Sequence, residues 1–90
     1  MEKKRAVVSV IGKDQIGIIA NVTTILSNHK INILDISQTI LQGFFTMMMI
    51  VDLTGANLEN LQKEMDELGE KLNLKINIQL EDIFQAMHRI

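Results

Sequence analysis

The chain has 90 residues, 47% hydrophobic and 22% charged, with a net charge of −2 and no cysteine. That length suits one small domain, able to bury about 60–65% of the surface its unfolded form exposes. Without cysteine, disulfides and thiolate metal sites are excluded, and the slight acidity argues against nucleic acid, whose partners carry a basic footprint.

In chain order, Lys3, Lys4 and Arg5 before an apolar run at 6–11 imitate the start of a signal peptide. The run stops at Gly12-Lys13-Asp14, too short for the usual apolar region of such a leader. No stretch approaches a membrane span. A reducing cytoplasm is the expectation, with no membrane partner. Residues 6–11 are β-rich and apolar on both faces, as in a central strand. Gly12-Lys13-Asp14-Gln15-Ile16-Gly17 follows, and then a helix pattern over 18–29. Ile18, Val22, Ile25 and His29 make its stripe, widened by Ile19 and Leu26. Asp14 is placed to cap this helix, its carboxylate reaching the Gly17 amide.

Residues 31–41 alternate imperfectly, with Leu34, Ile36 and Ile40 against Asp35, Ser37 and Thr39, as in an edge strand. Gln42-Gly43 supplies a turn. Residues 44–51 run apolar on both faces through Met47, Met48 and Met49, like a second central strand. Leu58, Leu61, Met65, Leu68 and Leu72 then repeat at helical spacing, with Gly69 reserved for close packing on the sheet. Residues 75–80 alternate cleanly as a second edge strand. Glu81-Asp82 could cap a short final helix over 81–90, with Ile83, Phe84, Met87 and Ile90 as its apolar side.

This β-α-β-β-α-β order, with right-handed crossovers, predicts an α+β ferredoxin-like sandwich. Its antiparallel sheet has strand order 4-1-3-2 and carries both helices on one face. The two strands apolar on both faces fall in the middle of that order. The other sheet face would expose Val7, Ile11 and alternate members of 44–51. A bare patch of that size predicts a homo-oligomer, a dimer first, with the C-terminal segment helping to seal it.

The loop before the first helix is the best candidate site. A glycine-bounded turn there presents free amides at the positive end of a helix, a cradle for carboxylate or phosphate. The amides of Gln15, Ile16, Gly17 and Ile18 are its anchor points. Gly12 and Gly17 serve a turn as well as a binding nest. The strand order sets the loop beside the start of the second strand, where the Asn32 side-chain oxygen could meet an amino group; strand-entry turn chemistry is the first explanation of Asn32. Nothing pairs His29 or His88 at metal-ligand spacing, and no nucleophile constellation exists. No cofactor is implied. Glu64, Asp66, Glu67 and Glu70 read as a solvated helix face.

The pattern Val8-x-Val10-x-Gly12-x-Asp14-x-x-Gly17-Ile18, with Asn32-Ile33 opening strand two, resembles an ACT domain over residues 5–80. It is similar to the ACT modules of the glycine-cleavage repressor and formyltetrahydrofolate deformylase. The whole length looks like a small stand-alone bacterial ACT family. The resemblance implies a regulatory module that binds an amino acid or similar metabolite at a subunit interface and signals to a partner protein. It nominates Gly12, Asp14 and Gly17 in the loop and Asn32 and Ile33 in strand two. Where the family often has proline before the second glycine, this chain has Ile16, so the first helical turn is not pre-set. Two other readings stand beside it: a ligand-free dimeric adaptor, and an acyl-phosphate hydrolase. The hydrolase would need an arginine in the first loop, and only Lys13 is offered.

Overall fold

The computed structural model describes residues 4–81. Its elements are β1 (Arg5–Lys13), α1 (Ile18–Asn28), β2 (Asn32–Leu41), β3 (Phe44–Asp52), α2 (Leu58–Leu72) and β4 (Leu74–Leu80). They form one antiparallel sheet of order β2-β3-β1-β4, the predicted 4-1-3-2 read from the other edge. The expected final helix falls, from Asp82 onward, outside the described residues.

One core lies between the sheet and both helices. Ala6, Val8 and Val10 of β1 meet Phe45, Met47, Met49 and Val51 of β3, roofed by Val22 and Leu26 of α1 and Leu61 and Met65 of α2. Period-two alternation on the central strands supplies this face. On α1 the buried stripe is Ile18, Val22 and Leu26, while Ile25 and His29 sit at its margin. Gly69 is buried in α2, where a β-carbon would stand 2.7 Å from the Leu74 carbonyl oxygen. The helix therefore approaches β4 as closely as glycine permits.

The start of α2 and the end of α1 are closed locally. Asn57 caps α2, its side-chain oxygen accepting from the Asn60 N–H at 3.1 Å. At the end of α1, Lys30 takes the left-handed conformation (φ 57°). The Lys30 N–H donates to the Ser27 carbonyl and the Ile31 N–H to the Leu26 carbonyl, each at 2.9 Å. This is a Schellman stop built on lysine where glycine is usual. His29 pairs with Glu64 across the two helices. Glu64 is thus half-buried and engaged, against the expectation of a purely solvated face.

β2 departs from the sequence reading in one place. Its register slips between Ile33 and Asp35, so Leu34 is an extra residue. This bulge returns Ile33, Ile36 and Ile40 to the helix side, opposite Val51, Met49 and Phe45. It is the reason the alternation looked imperfect. On the face without helices, Ile11, Phe44 and Met48 are exposed as expected. Val7 is not: flanked in register by Ile50 and Gln79, it keeps 8% of its surface.

Candidate functional site

The loop joining β1 to α1 is fastened to its surroundings at two points. The Asp14 N–H donates to the Gly43 carbonyl at 2.8 Å, fastening it to the β2–β3 hairpin. That hairpin turns on Gln42 and Gly43, both at positive φ (53° and 82°), the backbone of a type I′ turn. The Gln15 side-chain amide donates to the Leu72 carbonyl at 2.8 Å, fastening the loop to the end of α2. Gly12, still within β1, lies against Leu74; a β-carbon there would come within 2.5 Å of the leucine side chain. Gly12 thus serves close packing.

Asp14 does not cap α1. The cap position is Gly17, at φ 93°, ψ 0°, and no side chain bonds the first turn. The left-handed residue sits between Asp14 and the helix, which carries the carboxylate away from the first-turn amides. Asp14 is exposed, and its side chain has no partner among the described residues. Asn21 takes the supporting role that sequence reasoning missed. Its side-chain amide donates to the Gly17 carbonyl at 2.7 Å, beside the first intrahelical bond from its own N–H. A polar residue one turn after a glycine was the available signal.

The first turn therefore presents the N–H groups of Ile18, Ile19 and Ala20 uncapped, with no acidic side chain to offset the helix dipole. Ile18 is buried, so only its backbone can serve a ligand. Ile16 projects wholly into solvent, at 100% exposure.

Asn32 and Ile33 are not beside this loop. In register, Gly12 lies next to Phe45 and then Ile40, at the end of β2, while Asn32 lies next to Asp52. Those rows are separated by about 23 Å at the usual rise of a strand. The expectation that strand order brings the loop to the start of β2 fails within one chain, because β2 runs antiparallel to β3 and ends, rather than starts, at the loop. Asn32 and Ile33 instead line a hollow of about 480 Å³ against the last turns of α1, with Thr23, Leu26, Ser27 and Ile31.

Between the loop and the start of β2 runs an unprotected strand edge. β2 has a neighbour on one side only. Its helix-side residues Ile36 and Ile40 remain 45% and 56% exposed, since the helices leave that strand uncovered, and Leu34 and Leu41 of the same strand are exposed too. β4, the other edge, is packed by α2 and shows Lys75 and Asn77 on its outer face. Among the described residues no helix is long and apolar enough to cross a membrane.

Comparison with known proteins agrees with this architecture. The ACT domain family matches residues 4–79. A UPF0237 protein of Clostridium acetobutylicum is 51% identical over 88 residues, covering 96% of this chain and 99% of its own. An ACT domain protein from Streptococcus pneumoniae superposes with a TM-score of 0.80 at 40% identity, covering 93% of this chain and 97% of that one. A formyltetrahydrofolate deformylase from Burkholderia mallei shares the fold at TM-score 0.80 and 15% identity, over 86% of this chain and 28% of the deformylase. On the breadth of that family match and the near full-length relative, the chain belongs to the ACT domain family, whose members are typically regulatory modules that bind small molecules.

Proposed function

We propose that the protein is a regulatory module binding an amino acid or related metabolite between two copies of itself, and that binding sets its engagement with a partner protein. The observation that carries this is the separation of the loop from the start of β2 along an open edge. Antiparallel pairing of β2 with β2 of a second copy turns each strand end for end. The start of one strand then lies beside the end of the other, and so beside its loop. A ligand carboxylate meets the uncapped amides of Ile18, Ile19 and Ala20 on one copy. Its amino group meets the Asn32 side-chain oxygen on the other. Pairing also covers Ile36 and Ile40 and satisfies the free edge, which a monomer would have to protect.

In this reading no bond is made or broken. The ligand favours the paired state by its differential affinity for it, and the partner protein reads that state.

Two loop-and-strand variants test the reading. Gly17→Val and Asn32→Ala should each lose the thermal shift given by a panel of the standard amino acids. At 100 times its dissociation constant, a ligand raises stability by about 2.7 kcal/mol. Co-refolding the two variants should restore about a quarter of the wild-type binding capacity, because half the dimers are mixed and each then holds one intact site. No recovery on mixing means that the site is not shared between copies. If no compound shifts the wild-type protein while it remains dimeric, the ligand-free adaptor is the better account.

A further inference from the structure

We infer that the segment following β4, residues 82–90, lies as a short helix across one end of the helix-free sheet face. It covers Val7 and Ile50 of its own chain and leaves Ile11 and Phe44 bare. That face is not evenly open. Its outward residues on β1 are Val7, Ser9 and Ile11, each with a strand on both sides. Val7 keeps 8% of its surface, Ser9 is half-buried and Ile11 is 47% exposed. β3 repeats the gradient: Ile50 is half-buried, Met48 is 41% exposed and Phe44 63%. Lateral packing does not account for this. Val7 lies between Ile50 and Gln79, and Ile11 between Thr46 and Lys75, so each has one β-branched and one long polar neighbour. The cover at the Val7 end therefore comes from over the face.

The chain leaves the sheet at that same end. β4 closes with Leu80 beside Ala6, and Glu81 is tied to Arg5, Nε to Oε2 at 2.9 Å. Glu81 already has helical backbone. The residues after it carry a helical pattern. Ile83, Phe84, Met87 and Ile90 make one apolar stripe, with Asp82, Gln85, His88 and Arg89 off it. Acids at the start and bases at the end suit the helix dipole. A helix this short is marginal in water by itself, so its stripe needs a surface to pack on. Its reach selects which. Residues 82–90 in helical form span about 13 Å. Measured along β1 from Arg5, Val7 stands about 7 Å away and Ile11 about 20 Å. A helix starting at Glu81 therefore covers the Val7–Ile50 row and stops short of Ile11, which is the gradient observed.

The chain has no cysteine, so introduced pairs report position cleanly. Ile50→Cys with Phe84→Cys, and Ile50→Cys with Met87→Cys, are made in the full chain, treated with a short bis-maleimide, digested and mapped by mass spectrometry. Both pairs should link within single chains, while Phe44→Cys with Phe84→Cys should link far less. Links found only between chains would give the face to the tail of a second copy and overturn the inference. Equal yields at Phe44 and Ile50, or no link at either, overturn it too. Phe84→Asp gives an independent reading. It should raise binding of an apolar fluorescent dye several-fold with far-ultraviolet circular dichroism nearly unchanged, and Ile50→Gln added to it should lower that rise. No rise would mean that Phe84 covers nothing, which overturns the docking.

Discussion

Two glycines carry opposite kinds of constraint, and each gives a prediction. Gly17 is required by conformation: at φ 93° an L-residue costs roughly 1–2 kcal/mol. A β-carbon there would also come 3.2 Å from the Asn21 amide that supports the turn. Gly17→Val should therefore lower stability in urea by about that amount, on top of removing the ligand response. Gly69 is required by space. Replacing a helical glycine with alanine ordinarily gains about 1 kcal/mol. Here the new methyl would lie 2.7 Å from the backbone oxygen of Leu74, which no rotamer change relieves. Overpacking of this kind costs about 1–3 kcal/mol, so Gly69→Ala should destabilise on balance. An alanine variant with a higher urea midpoint would show that α2 can move off β4. The sequence exposed Gly69 because glycine is anomalous inside a strong helix pattern. It did not expose the loss of the Asp14 cap, because a carboxylate three residues before an amide looks alike whether or not a left-handed residue intervenes.

At the scale of elements, order and type were legible because the periods are strong. Leu61, Met65 and Leu68 repeat as a helix must, and β1 and β3 are apolar on both faces as central strands must be. What was not legible arises where one residue changes the count. The extra Leu34 in β2 shifts the alternation, and no side chain announces a bulge. The end of α1 was similarly soft, since Lys30 occupies the left-handed position that glycine would have advertised. That position yields a further prediction. Lys30→Gly removes a strained backbone at the helix stop and should stabilise the fold by up to about 1 kcal/mol. The check is the urea midpoint of the ligand-free protein. A loss of stability would mean that the lysine side chain contributes more than its backbone costs.

At the scale of the whole molecule, the candidate loop and the start of β2 are held apart by the same feature that builds the sheet. Antiparallel pairing of β2 with β3 carries the start of β2 to the far end from the loop, so the two candidate segments lie about 23 Å apart within one chain. The loop could be nominated from its glycine-bounded turn, and the start of strand two from the family resemblance. Their separation could not, because it depends on which end of β2 meets the hairpin in space. Ile36 and Ile40 are exposed because β2 is a sheet edge that the helices leave uncovered. Charging that edge isolates the assembly from the fold. Ile36→Glu with Ile40→Glu places like charges across a two-fold-related strand pair, where they repel and lose water. Both positions are already about half exposed, so the isolated domain should lose little stability, on the order of 0.5 kcal/mol per site. Sedimentation velocity at micromolar concentration should find dimers of the native chain and monomers of the double variant, with unchanged far-ultraviolet circular dichroism. The double variant should also lose the amino-acid response although every loop and Asn32 group is intact. Dimers that survive both charges would mean that copies meet through the face bearing Ile11, Phe44 and Met48. A ligand response that survives in monomers would mean that one half-site suffices.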